Sequence, residues 1–250
     1  MIGRTLALLL LVAGAVAAEE AAAPGSLHGV DARALGYTYT VGHFAPEYTP
    51  PAPGTYELPV IDTLDDHMLV DEKGDRVGLF DLTSGRIAVV AFIYTTCVET
   101  TGCPLSQSVL HRLDRALAAD ANLRRQVMLV SVSFDPERDD PERLATVRAA
   151  HAPKADWRFL TTSSEETLTP LLDDFGQPVA RLRFPDGRWT GLYRHVLKVF
   201  LLDRAHRVRN VYSTGLLDAG LVLNDVKTLW MESTASRSAS GSGRSSDTVR

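Results

Sequence analysis

Ile87 to Tyr94, read IAVVAFIY, is an uncharged run of β-branched, aromatic and small apolar side chains. Continuous apolarity over eight residues, without polar alternation, is what a strand buried on both faces requires. Such a strand is at home in a parallel sheet covered by helices, and with the alternation of elements further on it favours a layered α/β body. A short polar loop follows. It holds Cys97 and Cys103, the only two cysteines in the chain. Pro104 then opens a segment with Leu105, Val109, Leu113 and Leu117 at helical spacing, proline being well tolerated at a first helical position.

Strand, loop with two cysteines, helix is a setting for sulfur chemistry. Cys103 sits beside unpaired N–H groups and the positive end of the helix dipole, which favours thiolate over thiol. Cys97 lies at the carboxyl end of the strand, and the five intervening residues include Gly102. That loop length allows the sulfurs to meet as a disulfide or to stand slightly apart around one soft metal ion. A purely structural bridge would add only about 2 kcal/mol in the chain-entropy model, which a chain of this size does not need. Structural zinc normally takes four protein ligands, and two cysteines leave that set short.

Elsewhere the pattern alternates. Residues 57–86 read as short strands about a Glu72–Asp75 turn, and Val127–Phe134 as a second buried strand ending at Asp135-Pro136. Asp140 is placed to cap a helix with Pro141 at its first position, running to about Ala150. Trp157–Leu160 is extended, and Ser163 or Ser164 caps a helix ending near Phe175-Gly176. Residues 177–194 read as an irregular excursion with a Pro185-Asp186-Gly187 turn. Val196–Leu202 and Arg207–Ser213 flank a turn and read as a hairpin, and Asp218 caps a last helix through Met231. The expected fold is one α/β domain with a central mixed sheet flanked by helices. Ligands should gather at the carboxyl ends of its strands, where Cys97 lies.

The ends are of different character. Residues 1–18 carry Arg4, an apolar Leu6–Val12 core and Ala15-Val16-Ala17, the pattern of a cleaved secretory signal. No cysteine stands near that site to take a lipid. Export to an oxidising compartment is therefore expected, the periplasm if the source is Gram-negative, with no stable membrane anchor after cleavage. Residues 19–56 form a Pro/Ala-rich leader punctuated by Tyr37, Tyr39, Phe44 and Tyr48, placed to dock on the domain. Residues 57–232 make the domain, and 233–250 a Ser/Gly-rich tail read as disordered. A net charge of −5 without a basic cluster in the body argues against nucleic acid as a partner.

The order of elements and the cysteine loop together resemble the thioredoxin superfamily, and within it the Sco/SenC family of copper-handling proteins involved in cytochrome oxidase assembly. The residues that carry this are Phe92-Ile93-Tyr94-Thr95, Cys103-Pro104, the run Ser131-Val132-Ser133-Phe134-Asp135-Pro136-Glu137-Arg138-Asp139 with Pro141-Glu142, and His195 ahead of Val199-Phe200-Leu201-Leu202-Asp203. The resemblance implies a copper site of Cys97, Cys103 and His195. Two thiolates suit Cu(I), and an imidazole lets the same site hold Cu(II). It also implies a cuproprotein or oxidase-assembly partner, and a thiol–disulfide reductant to keep the cysteines reduced. Two departures stand out: five residues separate the cysteines where the family usually has three, and Arg194 stands where an acidic residue commonly precedes the histidine.

Other residues have plainer readings. His111 lies eight positions after Cys103, ~12 Å along a helix, too far for the same ion and read as solvated. His67 and His43 precede the core and are not placed by the sequence. Glu99 reads as a surface carboxylate, Asp135 and Glu137 as turn and cap residues, and Phe184 and Trp189 as either a docking surface or a cover for the core. The functional expectation is a metallochaperone. The alternative is an enzyme, a thiol–disulfide oxidoreductase using Cys97 and Cys103 as its redox pair, either of them attacking. A peroxide-reducing enzyme lacks an evident polar arrangement around Cys97, and an interaction domain with a structural disulfide is the blandest case.

Overall fold

The computed structural model describes residues 26–27, 30–31, 49–99 and 102–241, with side chains to residue 235. Two units are distinguished, residues 1–39 and 40–250. The described residues of the first are β1 (Ser26–Leu27) and β2 (Val30–Asp31), an antiparallel pair with Ser26 opposite Asp31. The signal-like segment, Tyr37, Tyr39, His43, Phe44 and Tyr48 lie outside the described residues.

The second unit runs β3 (Asp62–Thr63), β4 (Met68–Asp71), β5 (Arg76–Gly78), α1 (Leu79–Thr83), β6 (Ile87–Ile93), α2 (Cys103–Ala119), α3 (Ala121–Gln126), β7 (Val127–Ser133), α4 (Pro141–His151) and β8 (Trp157–Thr161). It continues with α5 (Glu165–Asp174), β9 (Val179–Arg183), β10 (Trp189–His195), β11 (Lys198–Leu202), β12 (Arg207–Ser213) and α6 (Ala219–Gly241). Eight strands form one mixed sheet in the order β3-β12-β11-β6-β7-β8-β4-β5. The apolar run is its centre: β6 is parallel to β7, which is parallel to β8, and β11 flanks β6 antiparallel. All seven residues of β6 and of β7 are buried, as the unbroken hydrophobic pattern demands. This is the thioredoxin-like α/β body expected from the sequence.

Side-chain alternation divides the faces of β6. Phe92 meets Phe175 after α5 and Phe200 on β11, with ring centroids 5.1 and 6.0 Å away, while Ile93 turns the other way, into the cleft beside Cys97 and Cys103. On the same face as that cleft, the apolar stripe Leu105, Val109, Leu113 and Leu117 of α2 is buried. Helix ends follow the expected chemistry. Asp140 accepts the Arg143 N–H at 2.8 Å, and Ser164 accepts that of Thr167 at 3.3 Å.

Three local readings change. Residues 177–194 are not irregular: β9 and β10 pair antiparallel, with Trp189 opposite Arg183 and His195 opposite Val179, around a turn closed by the Phe184 N–H on the Arg188 carbonyl. Both strands expose much of both faces, so no apolar alternation marks them in the sequence. Consequently His195 ends β10, the chain breaks at Val196-Leu197, and β11 begins at Lys198 rather than Val196. The last helix runs to Gly241, into the stretch that composition reads as disordered, because serine and threonine there serve the helix. Ser233 and Thr234 hydroxyls donate to the carbonyls of Trp230 and Met231, 2.8 Å each.

The end of the leader docks on α6. Tyr56 donates its hydroxyl to Asp225 at 2.5 Å, and the Gly54 N–H reaches Thr228 Oγ1 at 3.0 Å. Gly54 has φ +80°, and a Cβ there would lie 2.8 Å from Met231, so the position requires glycine. Among the described residues no helix is long and apolar enough to cross a membrane.

Candidate metal centre

The cysteine loop hangs from the end of β6 by a single buried carboxylate. Asp139, wholly buried, accepts the Thr95 N–H at 2.9 Å, the Thr95 hydroxyl at 2.5 Å and the Ser133 hydroxyl at 2.6 Å. Three donors on a buried carboxylate satisfy it without a full ion pair, and they lock the first loop residue to the end of β7. The chain then turns, the Cys97 N–H donating to the Tyr94 carbonyl at 3.2 Å. Val98 and Glu99 are exposed, so Glu99 is the surface carboxylate expected of it. Gly102 caps α2, and a Cβ there would stand 3.3 Å from the Glu99 carbonyl and 3.6 Å from Cys97 Sγ. Cys103 is the first residue of α2 and only 3 % exposed, while Cys97 is half-buried.

His195 comes from the other side. Its ring packs against Phe134 and Tyr94, centroids 5.0 and 6.0 Å away, and its Nε2 is buried without a hydrogen-bond partner. The hairpin that carries it is tied to the exit of β7. Tyr193 donates its hydroxyl to the buried Asp135 at 3.0 Å, Arg138 pairs with Asp135, and Arg138 also donates to the Gly191 carbonyl at 2.9 Å. Trp189 lies between the guanidiniums of Arg138 and Arg181, 4.4 and 4.6 Å from its ring. It braces the hairpin, whereas Phe184 is 48 % exposed. Arg194 points to solvent, as strand alternation between the inward Tyr193 and His195 requires, so its charge is screened from the site.

The three side chains converge. Both sulfurs and an imidazole nitrogen of His195 lie within 4.8 Å of one another, the one such group of three among the described residues. Ligands ~2.3 Å from one ion in a trigonal arrangement stand about 4 Å apart, so the set needs little closure to share an ion. The buried His195 Nε2 without a hydrogen-bond partner and the two unbridged cysteines make a donor set that fits such an ion.

The proton of the pair sits on Cys103. A hydrogen bond from the Cys103 thiol, followed by others from His195 and the Cys103 and Glu99 N–H groups, draws Cys97 down to about 3 against the opposing effect of burial. Cys103 is pushed up by that same hydrogen bond and by its own burial. Helix placement had pointed to Cys103 as the thiolate. The correction is that the amide at the start of α2 aims at Cys97 Sγ, while the Cys103 sulfur is buried. Burial, and then a hydrogen bond to Cys97, likewise pushes the Tyr94 phenol up.

Asp139, Asp135, Arg138, Tyr193 and Tyr94 were not singled out as part of the site. Their signal was present in the run SVSFDPERDD, in which Asp135 and Asp139 are fully buried. His111 is not solvated either: it is half-buried and bonded to His151. His67 pairs with Asp174 at 2.8 Å, outside the cysteine site.

The SCO1/SenC family model matches residues 59–231. No curated protein matches the chain in sequence. Among solved structures, a SCO1/SenC family lipoprotein from Bacillus anthracis is 25% identical with a TM-score of 0.57, covering 68% of this chain and 96% of its own. BsSco, described as a member of the Sco family of cytochrome c oxidase assembly proteins with a disulfide switch, is 24% identical at TM-score 0.55, covering 70% and 96%. Copper-bound ScoI from Arabidopsis thaliana has the same fold at 19% identity and TM-score 0.57, covering 68% and 98%. With well over half of its length matched by one family model, and with the strand–loop–helix cysteines and the hairpin histidine folded into one cluster, this chain belongs to the SCO1/SenC family.

Proposed function

We propose that the protein is an exported copper metallochaperone. Cys97, Cys103 and His195 take copper as cargo and pass it to a partner cuproprotein such as a cytochrome oxidase subunit. The observation that carries this reading is the convergence of two sulfurs and one imidazole nitrogen within 4.8 Å. Two sulfurs match the softness of Cu(I), and the imidazole extends the set to Cu(II). Cys97 is already a thiolate and half-buried, so it offers the first ligand at the loop surface; Cys103 loses its proton as the ion closes the set. Delivery reverses this by ligand exchange and needs no enclosed substrate pocket. The cleft beside the cysteines is small, about 140 Å³. Residues 1–18 support export, to the periplasm in a Gram-negative source.

The test is a copper titration of the reduced mature protein beside Cys97→Ala, Cys103→Ala and His195→Ala. One Cu(I) per chain at the cysteine site, lost or strongly weakened in all three, is the expected result. Copper binding unchanged in His195→Ala removes that residue from the site.

The asymmetric protonation of the cysteines favours a second reading, a thiol–disulfide oxidoreductase. The Cys97 thiolate attacks a partner disulfide, forming a mixed disulfide and releasing one partner thiolate, which takes a proton. The Cys103 thiol then gives up its proton and attacks Cys97 Sγ, leaving an intramolecular disulfide and a fully reduced partner, two electrons transferred. A separate dithiol reductant restores the pair. Reduction of an insulin-type disulfide by a protein that holds no copper selects this reading over the first.

A further inference from the structure

A pair of facing histidines lies outside the cysteine site. His111 is on α2 and His151 ends α4, yet His151 Nδ1 and His111 Nε2 are 2.5 Å apart. The contact is a hydrogen bond, so the two ring nitrogens face each other across one shared proton, closer than the usual spacing of about 2.9–3.0 Å. The rings are held in place: Trp157 lies 5.1 Å from each, and Phe159 stacks on His151 at 5.3 Å. Burial keeps both imidazoles below their ordinary pKa, leaving them neutral and able to ligate. Both rings are only partly buried, and His151 lines the same cleft as Cys97, Cys103 and Gln107. Gln107, one turn before His111, has a buried amide oxygen without a hydrogen-bond partner.

Geometry selects the ion. Two nitrogens ~2.0 Å from one ion at a right angle stand about 2.8 Å apart, against ~3.3 Å in a tetrahedral site. An ion of either kind replaces the shared proton and needs both rings to turn toward it, and the right-angled Cu(II) pair needs the smaller separation of the two. Both rings ligate without net proton loss, since the one carrying the shared proton moves it to its other nitrogen. We propose that His111 and His151 form a second, nitrogen-ligated copper site for Cu(II), with Gln107 Oε1 as the neighbouring oxygen donor. It lies ~12 Å along α2 from Cys103 and is reached from the same cleft. The site stands whether or not the cysteines carry copper.

The test uses the full chain with Cys97→Ser and Cys103→Ser, titrated with copper sulfate. We expect one equivalent with nitrogen hyperfine structure in its paramagnetic resonance spectrum, weakened at least tenfold in His111→Gln and in His151→Gln. Retention of that equivalent in the double histidine variant overturns the proposal. A second measurement does not depend on the histidine variants folding. With Trp189→Phe and Trp230→Phe added, Trp157 is the sole emitter among three tryptophans, and the first equivalent of Cu(II) should quench it. Unquenched Trp157 emission at one bound equivalent overturns the proposal equally.

Discussion

The two halves of the metal centre are built to different standards. The sulfurs stand on the best-packed part of the molecule, between the wholly buried β6 and the first turn of α2, with Asp139 clamping the loop. The imidazole stands on a separate two-stranded hairpin whose side chains, the buried Tyr193 apart, are exposed or half-buried, tied down by Asp135, Arg138 and Tyr193 at one end. A site with one rigid and one lightly tethered half can keep its cysteines preorganised while the histidine comes and goes. In the proposed copper carrier, that division lets the cargo leave as readily as it binds.

The comparison is broken most severely by removing a sulfur. Cys97→Ser or Cys103→Ser should abolish stoichiometric Cu(I) binding, a loss of at least ~1000-fold in competition with a chromogenic chelator, because one thiolate cannot hold a soft ion alone. His195→Ala should separate the halves: Cu(II) affinity falls about 100-fold and Cu(I) affinity about tenfold, since the imidazole matters more to the harder ion. With His111→Gln and His151→Gln in the background, retained Cu(II) affinity would show the hairpin to be irrelevant to the metal.

The protonation asymmetry makes a third test. A depressed thiol is deprotonated in the folded state at every pH above its own value, so iodoacetamide should label Cys97 at nearly constant rate from pH 5 to 8. An ordinary thiol loses about tenfold per pH unit below ~8.5, and the buried, protonated Cys103 should stay unlabelled. A Cys97 rate that climbs tenfold per unit through this range sinks the assignment.

Smaller effects sharpen the picture. Asp139→Ala leaves three donors without their acceptor and should destabilise the fold by ~2–3 kcal/mol, read as a fall in the denaturant midpoint. Tyr193→Phe removes one hydrogen bond, costing about 1 kcal/mol. It should weaken Cu(II) a fewfold while leaving Cys97 alkylation unchanged, because only the histidine half is loosened.

How much of this was legible depends on the reach of each signal. The buried strands, the Pro104 and Pro141 helix starts and the cysteine spacing are local patterns with local causes, readable in the sequence because periodicity and capping act over a few residues. The hairpin was not: it lies half in solvent on both faces, and its arginines hide the alternation that marks a strand. The helical stretch beyond Met231 was missed because serine-rich composition does not reveal hydroxyls bonded back to the helix.

By itself the chain determined an α/β body with two cysteines at a strand's carboxyl end, and resemblance supplied the histidine. Only the tertiary structure decided which sulfur holds the charge, which acids are buried, and that His111 meets His151. Those outcomes rest on contacts between residues 6 to 98 positions apart. Local propensity carries no information at that range; burial and hydrogen bonding settle such contacts only once the sheet has brought the elements together.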